Sequence, residues 1–532
     1  MAYLIITVVI YLVYLFFRLK KALHMLQQNR YDKDYYYTRW LVKNAKYIFI
    51  SLDILSLLPV VLIMIKNNIY VMILNILVYI FLFIRILRLQ KKEQNKKPLV
   101  YTSRVKRLMF TFLVALGLIL FFIFNKYDAS NLKFYYLALG LYSYLSYLVI
   151  FLINYINAPV EKLVYLYYFN KAKRKIDSFS NLQVVGIAGS YGKTTTKNIV
   201  NTILSEKYQV LASPKSYNTP YGLMRTINEN LDKFDQVFVA EMGAVKKGDL
   251  KPLCNLISPK YGILTKLGLA HLETFKTVEN ITKGKFELIE RLPEDGIGIL
   301  NGDDDRQVEY YKEKKDTVKW YGIKNKDVDT RGENIKCTYQ GMSFDVIFKG
   351  DKNKYSFQTK LLGEANIYNI LAGITLAKEM GVSISQIQTG VKKLKPVEHR
   401  LELKQLGDIT IIDDAYNSNP EGSKMALDVL SMMPGKRIIV TPGMVELGVK
   451  EKELNEEFGK YIASHADVAI LIGEKQTKPI YDGLIKGNFD KKNIYVLNDV
   501  KKAFGLLQKL KEGKTYTLLE NDLPDLFSEG EK

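Results

Sequence analysis

The sequence has only two cysteines, and its first third has few acidic residues. Cys254 and Cys337 are too few for a disulfide framework or a zinc cluster, which fits a reduced compartment. Residues 1–176 contain 25 Lys and Arg against 6 Asp and Glu, whereas the remaining 356 residues contain 51 against 49. The basic excess therefore lies in the most apolar third, a pattern typical of membrane topology, and we expect no nucleic-acid partner.

The first third contains five apolar runs of 16 to 23 residues, near the length that crosses a hydrocarbon core. The runs are Ala2–Phe17, Ile48–Ile65, Ile69–Ile84, Leu108–Phe124 and Phe134–Ile156. We predict a membrane region over residues 1–157 with five transmembrane helices. The first run lacks a basic start and a small-residue cleavage site, so we interpret it as an uncleaved anchor.

The basic residues of the loops predict the orientation. Segments 18–47 and 85–107 hold eight and nine Lys or Arg, whereas segments 66–68 and 125–133 hold one and two. The pattern predicts an outer N-terminus, with the basic loops and all later residues in the cytoplasm. Asp53, inside the second run, is either a functional intramembrane carboxylate or a residue facing a neighbouring helix, and we favour the second. Residues 158–180 read as an interfacial helix and linker.

The segment Val184–Lys197 has the pattern of a phosphate-binding loop. A short apolar strand precedes a turn with Gly189 and Gly192, and then Lys193 and Thr194 open a helix. Glycines let the backbone approach phosphate oxygens, and a helix N-terminus offers free N–H groups. We expect the lysine to reach the β- and γ-phosphates and the threonine to contact Mg²⁺. The alternative is a glycine turn before an ordinary helix.

From Leu182 onward, short apolar runs alternate with helical patterns, which predicts parallel α/β layers. Ligands of such sheets bind beyond the carboxyl ends of the strands. Four consecutive predicted strands end in the phosphate turn, Glu241, the loop to His271, and the segment Asn301–Asp305. We therefore predict one site at this edge.

We place a central domain at 181–396, with an antiparallel excursion near 316–362, and a second α/β domain at 397–532. The predicted strands of the second domain are 410–412, 437–441, 468–472, 494–497 and 515–519.

These motifs resemble the Mur ligase superfamily, the ATP-dependent amide ligases of peptidoglycan assembly. The pattern is most similar to the branch that adds D-alanyl-D-alanine to a UDP-N-acetylmuramoyl tripeptide. The resemblance covers roughly Leu182–Leu510 and rests on segments 189–197, 240–244, 270–273, 301–304, 366–369, 413–420 and 444–448. The family's short Gly-x-x-Gly-Lys-Thr loop accounts for Ile187 at the position of the usual first glycine. The resemblance implies a P-loop central domain followed by a Rossmann-like C-terminal domain.

The resemblance implies ATP, two Mg²⁺ sites and an acyl phosphate that an amine attacks. The implied catalytic residues are Lys193, His271, Lys285 and Arg400. The implied nucleotide-binding residues are Gly189, Ser190, Gly192, Lys193, Thr194, Thr195, Asn301, Asn366, Asn369, Arg400 and Asp414. The implied metal ligands are Thr194, Glu241, His271 and a carbamylated Lys285, and Asn417 and Asn419 would contact the substrate. Lys283 competes with Lys285 for the carbamylated position. Asn366 and Asn369 either contact adenine or only cap a helix.

Three features depart from the family pattern. Ala365 replaces a common histidine, Gly443 replaces a common aspartate, and the membrane region takes the place of the domain that holds the uridine nucleotide. The expected partners are a UDP- or lipid-linked muramyl peptide, a D-Ala-D-Ala-like amine and membrane lipid. One alternative is a membrane-bound polymer amide ligase similar to the poly-γ-glutamate synthases, which the Asp413–Pro420 motif disfavours. Another is a non-catalytic ATP-sensing scaffold, which the intact site residues disfavour.

Overall fold

The computed structural model describes residues 2–49, 51–66, 68–92, 98–125, 131–311, 318–416, 419–445 and 447–522. The chain forms two compact units, Met1–Tyr167 and Tyr168–Lys532. We describe each unit by itself.

The first unit is helical, as its long apolar runs predict. Helices α1 to α8 are Ala2–Gln28, Tyr36–Phe49, Leu58–Ile65, Ile69–Lys92, Ser103–Asn125, Leu132–Tyr144, Ser146–Ile156 and Ala158–Asp177, and the last continues into the second unit. Short 3₁₀ helices occupy Arg30–Tyr35 and Leu52–Leu57. Helix α1 packs against α4, and the tyrosine rings of Tyr11 and Tyr79 meet edge to face at 5.2 Å.

Three helices of the described residues are long and apolar enough to cross a membrane, and a bent pair makes a possible fourth. The three are Tyr3–Gln28, Ile69–Lys91 and Ser103–Asn125, and the pair is α6 with α7, which meet at 76°. The predicted count of five spans stays a prediction: the run Ile48–Ile65 does not form one long helix, and within it Leu52–Ile65 is a shorter apolar helix. Ser51 caps a 3₁₀ segment, and α3 has only 8 residues, or about 12 Å of helix.

The second unit contains two sheets, and the larger has nine strands. Strands β1 to β9 are Gln183–Ala188, Val210–Ala212, Val237–Glu241, Tyr261–Leu264, Ile297–Asn301, Val318–Gly322, Thr330–Thr338, Gly341–Phe348 and Lys354–Thr359. Their order is β2-β3-β1-β4-β5-β6-β7-β8-β9. The sheet is parallel from β2 through β7, and β8 and β9 pair antiparallel. Helices α9 to α16 are Lys193–Leu204, Pro220–Asn230, Leu250–Ile257, Leu272–Phe275, Val278–Phe286, Asp305–Tyr311, Ala365–Glu379 and Ile384–Lys392.

The central strands are apolar because helices cover the sheet. Val184 and Val185 of β1 are 6% and 0% exposed, and Phe238 and Val239 of β3 are fully buried, so residues that point to opposite faces are buried alike. Burial on both faces is typical of parallel sheets and explains the continuous apolar runs. The carboxyl ends of β3, β1, β4 and β5 consequently lie side by side, which positions the loops that follow them.

The smaller sheet has six strands. Strands β10 to β15 are Glu402–Leu406, Ile409–Asp414, Lys436–Thr441, Val468–Ile472, Ile494–Leu497 and Thr515–Glu520, in the order β10-β11-β15-β12-β13-β14. Only β10 runs antiparallel to its neighbour. Helices α17 to α20 are Pro420–Ser431, Glu451–Ala463, Lys478–Lys486 and Val500–Leu510. The predicted α/β architecture is therefore confirmed for both parts of this unit.

Candidate active site

The loop between β1 and α9 requires its two glycines. Gly189 and Gly192 have φ angles of +143° and +79°, in a region that side chains disfavour. A Cβ atom on Gly189 would lie 1.9 Å from Oγ1 of Thr265, and one on Gly192 would lie 2.6 Å from Oδ1 of Asn369. The loop is thus held tightly between the end of β4 and helix α15.

Lys193 begins α9 and folds back over this loop. Its Nζ donates to the carbonyls of Gly189 (2.9 Å) and Ser190 (3.0 Å). Burial lowers the pKa of Lys193 to about 8, while Glu241 acts to raise it and Arg400 to lower it. The ammonium therefore stays largely protonated at neutral pH, as a phosphate-binding lysine requires.

Thr194 and Glu241 form the centre of the site. The Thr194 hydroxyl donates to Oε2 of Glu241 (2.8 Å), and Nδ2 of Asn218 donates to Oε1 (2.9 Å). Nζ of Lys197 lies 3.7 Å from Oε2, and Glu241 and Lys197 are each only 2% exposed. A hydroxyl beside one carboxylate suits Mg²⁺, which commonly takes one or two protein carboxylates and completes its shell with water and phosphate oxygens.

Lys285 is a buried lysine on helix α13. It is 1% exposed, and its Nζ donates to the carbonyl of Ala244 at 2.7 Å. Burial lowers the pKa of Lys285 well below its ordinary value, and the charge of Lys193 lowers it further. Lys283, the competing candidate, is instead 42% exposed and pairs with Glu279. Reaction with CO₂ requires an uncharged amine, and burial favours that form at Lys285, whereas Lys283 is exposed and paired with a carboxylate.

His271 lies just before the short helix α12. Its backbone is left-handed, with φ of +60°, and its carbonyl accepts the Thr274 hydroxyl at 3.0 Å. Among the residues described, no three His, Cys, Asp or Glu side chains are grouped to hold a metal ion. The second Mg²⁺ site, with His271 as a ligand, therefore stays a prediction.

Arg400 connects the smaller sheet to the phosphate loop. Its guanidinium donates to Oγ1 of Thr194 at 3.4 Å and lies 4.8 Å from the centre of the Tyr416 ring. The residues on either side, His399 and Leu401, have φ angles of +59° and +49°. Left-handed backbone at two non-glycine residues is costly and recurs at functional sites. The structure thus places Arg400 beside Thr194, and its catalytic role stays a prediction.

Asp414 ends strand β11 near Arg400. Its Oδ1 accepts the N–H of Leu401 at 3.2 Å. Burial, helped by the nearby Glu520 carboxylate, raises the pKa of Asp414 to about 7, although Arg400 acts to lower it. Asp414 thus lies close to a residue of the phosphate site, and its contact with ribose stays a prediction.

The predicted asparagines make structural contacts. Asn369 accepts the Thr196 hydroxyl (3.2 Å) and donates to Asn366 (3.0 Å), which links α9 to α15. Asn301 accepts the N–H of Asp303 (2.9 Å) and shapes that turn. Asn419 caps α17 by accepting the N–H of Gly422 at 2.9 Å, and Asn417 lies outside the described residues.

Two further residues of the phosphate loop were predicted to bind the nucleotide. Ser190 donates to the carbonyl of Gly268 (3.2 Å), and Thr195 is half-buried in the first turn of α9.

Sequence reasoning missed Lys197 and Asn218. Lys197 follows Lys193 by one helical turn, and its ammonium also donates to the carbonyl of Lys215. Asn218 precedes helix α10, whose start is signalled by Thr219-Pro220. A cation at this spacing in the loop helix and an amide beside a helix start were the available signals, but neither identifies Glu241 as the partner.

Comparison with known proteins identifies the family. Residues 187–377 match the Mur ligase middle domain, and residues 399–519 match the Mur ligase glutamate ligase domain. The UDP-N-acetylmuramoyl-tripeptide--D-alanyl-D-alanine ligase of Bacillus subtilis strain 168 is 30% identical over 333 residues, which cover 62% of this chain and 70% of the relative. The ligase of the same name from Escherichia coli strain K12 is 29% identical over 296 residues, covering 55% and 65%. The matched part thus spans about two thirds of these relatives.

Solved structures agree with this assignment. The MurF ligase of Thermotoga maritima, crystallised with ADP, aligns with a TM-score of 0.60 and 25% identity, over 67% of this chain and 80% of that one. MurF of Acinetobacter baumannii has the same fold, with a TM-score of 0.60 and 23% identity over 67% and 77% of the two chains. The resemblance predicted from the sequence motifs is confirmed: the chain belongs to the Mur ligase family of ATP-dependent peptide ligases.

Proposed function

We propose that this protein is a membrane-anchored amide ligase of peptidoglycan precursor synthesis. It would add D-Ala-D-Ala, or a similar amine, to a muramyl peptide, as the names of its relatives state for those proteins. The observation that carries the proposal is the convergence of Lys193, the Thr194–Glu241 pair and Arg400 at one strand edge. Three elements of the chain deliver these groups, and each suits a phosphate or the metal ion that accompanies it.

The proposed reaction has two steps. A carboxylate oxygen of the peptide attacks the γ-phosphorus of ATP, the bond to the β-phosphate oxygen breaks, and an acyl phosphate and ADP form. The amine then attacks the acyl carbon, phosphate leaves, and the amine loses a proton. Lys193 and Arg400 would neutralise charge on the transferring phosphoryl group, so catalysis consists mainly of positioning and electrostatic stabilisation. Thr194 and Glu241 would hold Mg²⁺, which supplies further charge neutralisation.

Lys285 is proposed to be carbamylated. Its neutral amine would attack CO₂ and lose a proton, giving a carbamate that carries a negative charge. The change would replace an amine whose charged form Lys193 disfavours with an anion that attracts Lys193 and offers oxygen ligands to a second Mg²⁺. His271 is proposed as a further ligand of that ion.

The membrane unit is proposed to place the reaction at the cytoplasmic face, with the N-terminus outside. The support is the match between the basic loops and three helices of spanning length. Such an anchor suits an acceptor that is itself held in the membrane. We therefore propose a lipid-linked muramyl peptide as the acceptor, with the UDP-linked form as the competing substrate.

A product assay tests these proposals. The full-length protein in detergent would receive ATP, D-Ala-D-Ala and either UDP-linked or lipid-linked muramyl peptides, with product masses measured. A dipeptide added in an ATP-dependent way, and absent with Lys193→Ala, supports the ligase. Equal turnover of the UDP-linked peptide without lipid would contradict the lipid-linked acceptor, and no product from any peptide would contradict the reaction.

A further inference from the structure

The membrane unit contains a cluster of three charged side chains that the ligase function does not use. Asp53, in the 3₁₀ segment before α3, forms ion pairs with Arg18 of α1 (2.6 Å) and Arg85 of α4. Arg18 is 2% exposed, whereas Asp53 and Arg85 are 18% and 21% exposed. Asp53 therefore faces neighbouring helices, as the sequence analysis favoured.

Arg18 has a structural role in this cluster. Besides Asp53, it donates to the carbonyls of Ser143 (2.7 Å) and Tyr144 (3.1 Å) at the end of α6. The last carbonyls of a helix lack partners within it, and here the chain bends by 76° into α7. The guanidinium thus satisfies the carbonyls at the bend, and it also lies 5.4 Å from the centre of the Tyr147 ring.

Arg85 carries the positive charge that the Asp53 carboxylate does not neutralise. Two guanidinium groups share one carboxylate, and Asp53 is the only acidic residue paired with them among the residues described. The cluster therefore has one uncompensated positive charge. Because Arg18 is enclosed and Arg85 is partly open, that charge reaches the surface of the unit at Arg85. A guanidinium has five N–H donors in a fork that suits phosphate oxygens.

The depth of the two arginines matches the edge of a hydrocarbon core. Arg18 and Arg85 each lie 16 residues after the first residue of their helix, Ala2 and Ile69. At about 1.5 Å per residue this is about 24 Å along each helix, about 6 Å short of the far side of a core of about 30 Å, and a long arginine side chain spans such a gap by snorkelling. In the proposed orientation both helices run inward, so the two side chains lie near the cytoplasmic headgroups.

The surroundings of Asp53 and Arg85 are apolar and exposed. Leu52 and Ile54 flank Asp53 and are 53% and 50% exposed, and Phe81 and Ile84 precede Arg85 and are 49% and 42% exposed. A soluble anion would have to approach through a surface that suits hydrocarbon. A phosphate attached to acyl or prenyl chains would instead arrive with matching apolar groups.

We propose that Arg85, supported by Arg18 and Asp53, binds the phosphate group of a membrane lipid at the cytoplasmic side of the membrane unit. Two sources share this chemistry: an anionic phospholipid and the diphosphate of a lipid-linked muramyl peptide. The second source rests on the proposed function, whereas the binding of a lipid phosphate does not.

Native mass spectrometry of the full-length protein in detergent tests this site. The probes are phosphatidylglycerol, a prenyl-diphosphate-linked muramyl peptide, and inorganic phosphate. Arg85→Gln should weaken binding of at least one lipid by about tenfold or more, the loss of one charge-assisted contact. Arg88→Gln, which removes an exposed arginine one turn further along α4, is the matched control and should bind within about twofold of wild type, as expected for a surface substitution.

Preference for the prenyl diphosphate would identify the acceptor as the ligand, and preference for phosphatidylglycerol would identify a bulk lipid. Equal losses in Arg85→Gln and Arg88→Gln would overturn the site, as would binding of inorganic phosphate that matches the lipids. If Arg85→Gln fails to fold, Arg85→Lys retains the charge and should still bind lipid, and loss of binding in that folded variant overturns the proposal. Ligation of a UDP-linked peptide is measured in parallel, because its absence would contradict the ligase and leave lipid binding unaffected.

Discussion

Each unit of the molecule has a carboxylate at the centre of a buried charged cluster. The two clusters differ in how far the sequence alone predicts them. Glu241 ends a parallel strand and contacts Thr194 and Lys197. Asp53 lies within an apolar run and contacts Arg18 and Arg85. The first belongs to a recognisable motif, because strand ends gather ligands. The second has no motif, because its partners are far apart in the sequence and join only when the helices pack.

Both clusters contain more cations than anions. Lys193, Lys197 and Arg400 surround Glu241, and two arginines share Asp53. An excess of buried positive charge is unfavourable unless an anion accompanies it. The comparison therefore suggests that both units are prepared for phosphate, one for a triphosphate and the other for a lipid. Each prediction below separates the two clusters or tests the charge balance within one of them.

The largest expected effect is on catalysis. Lys193→Ala removes the ammonium at the phosphate loop, and ATP hydrolysis and ligation should fall by about a thousandfold or more, as expected when a preorganised charge is lost. The melting temperature in detergent should change little, because the hydrogen bonds of Lys193 in the described part of the chain go to carbonyls of its own loop. Retained turnover would refute the nucleotide site, and retained lipid binding would show that the two clusters act independently.

Asp53→Asn should affect stability more than chemistry. Removing the carboxylate leaves Arg18 and Arg85 without their counter-ion, and breaking a buried pair costs about 3–5 kcal/mol. Thermal unfolding of the full-length protein in detergent measures the loss. Asp177→Asn, which breaks an exposed pair with Lys173 (53% and 28% exposed), is the control and should cost less. Equal losses of thermal stability in the two variants would mean that the Asp53 cluster stabilises the protein no more than the control pair does.

Lys285→Met should reduce ligation by about a hundredfold, if the carbamate acts as a charged group in the site. The matched control is Lys283→Met, which removes an exposed lysine of the same helix and should retain activity. Isotope-labelled bicarbonate should give a carbamate signal by NMR in wild type and in the control. A signal that persists in Lys285→Met would place the modification elsewhere.

Lys197→Met tests the charge balance at Glu241. Loss of this partner leaves Thr194 and Asn218 to orient the carboxylate, so the Mg²⁺ concentration needed to bind a fluorescent ADP analogue should change by about threefold to tenfold, the effect of one weakened ion pair. Nucleotide binding in chelator reports on the loop alone and should change less. An unchanged Mg²⁺ dependence would reduce Lys197 to a packing role.

Much of the fold could be predicted from apolar patterning, and the exceptions have physical causes. The strands Val468–Ile472 and Ile494–Leu497 have the predicted bounds. Strands β2 and β10 were missed because one has only three residues and the other is a largely exposed edge with alternating charges. Strand β7 lies inside its sheet but was missed because Arg331, Glu333 and Lys336 make its sequence polar. In the membrane unit, composition alone did not reveal the break at Ser51.

The residues of the active site also divide into those that motifs predict and those that only packing brings together. Lys193, Thr194 and Glu241 were predictable because motif residues at adjacent strand ends must converge. Lys197 and Asn218 were not, since a buried ion pair and an amide contact depend on packing that no spacing encodes. The role of Asp53 required α1, the 3₁₀ segment and α4 together.

A pH-dependent effect concerns a third carboxylate, Asp414, which has Glu520 as well as Arg400 for a neighbour. Its pKa is raised to about 7 from an ordinary value of 3.8. The protonated form is therefore favoured by folding, and the stability it contributes is fully present below pH 4 and lost as pH rises through about 7. Asp414→Asn cannot ionise, so its melting temperature should decline less than that of wild type between pH 5 and pH 8, by the equivalent of about 1–2 kcal/mol. Melting temperatures that decline in parallel for wild type and Asp414→Asn would show that Arg400 keeps Asp414 ionised. Asp414 would then neutralise a neighbouring cation, as Glu241 and Asp53 do.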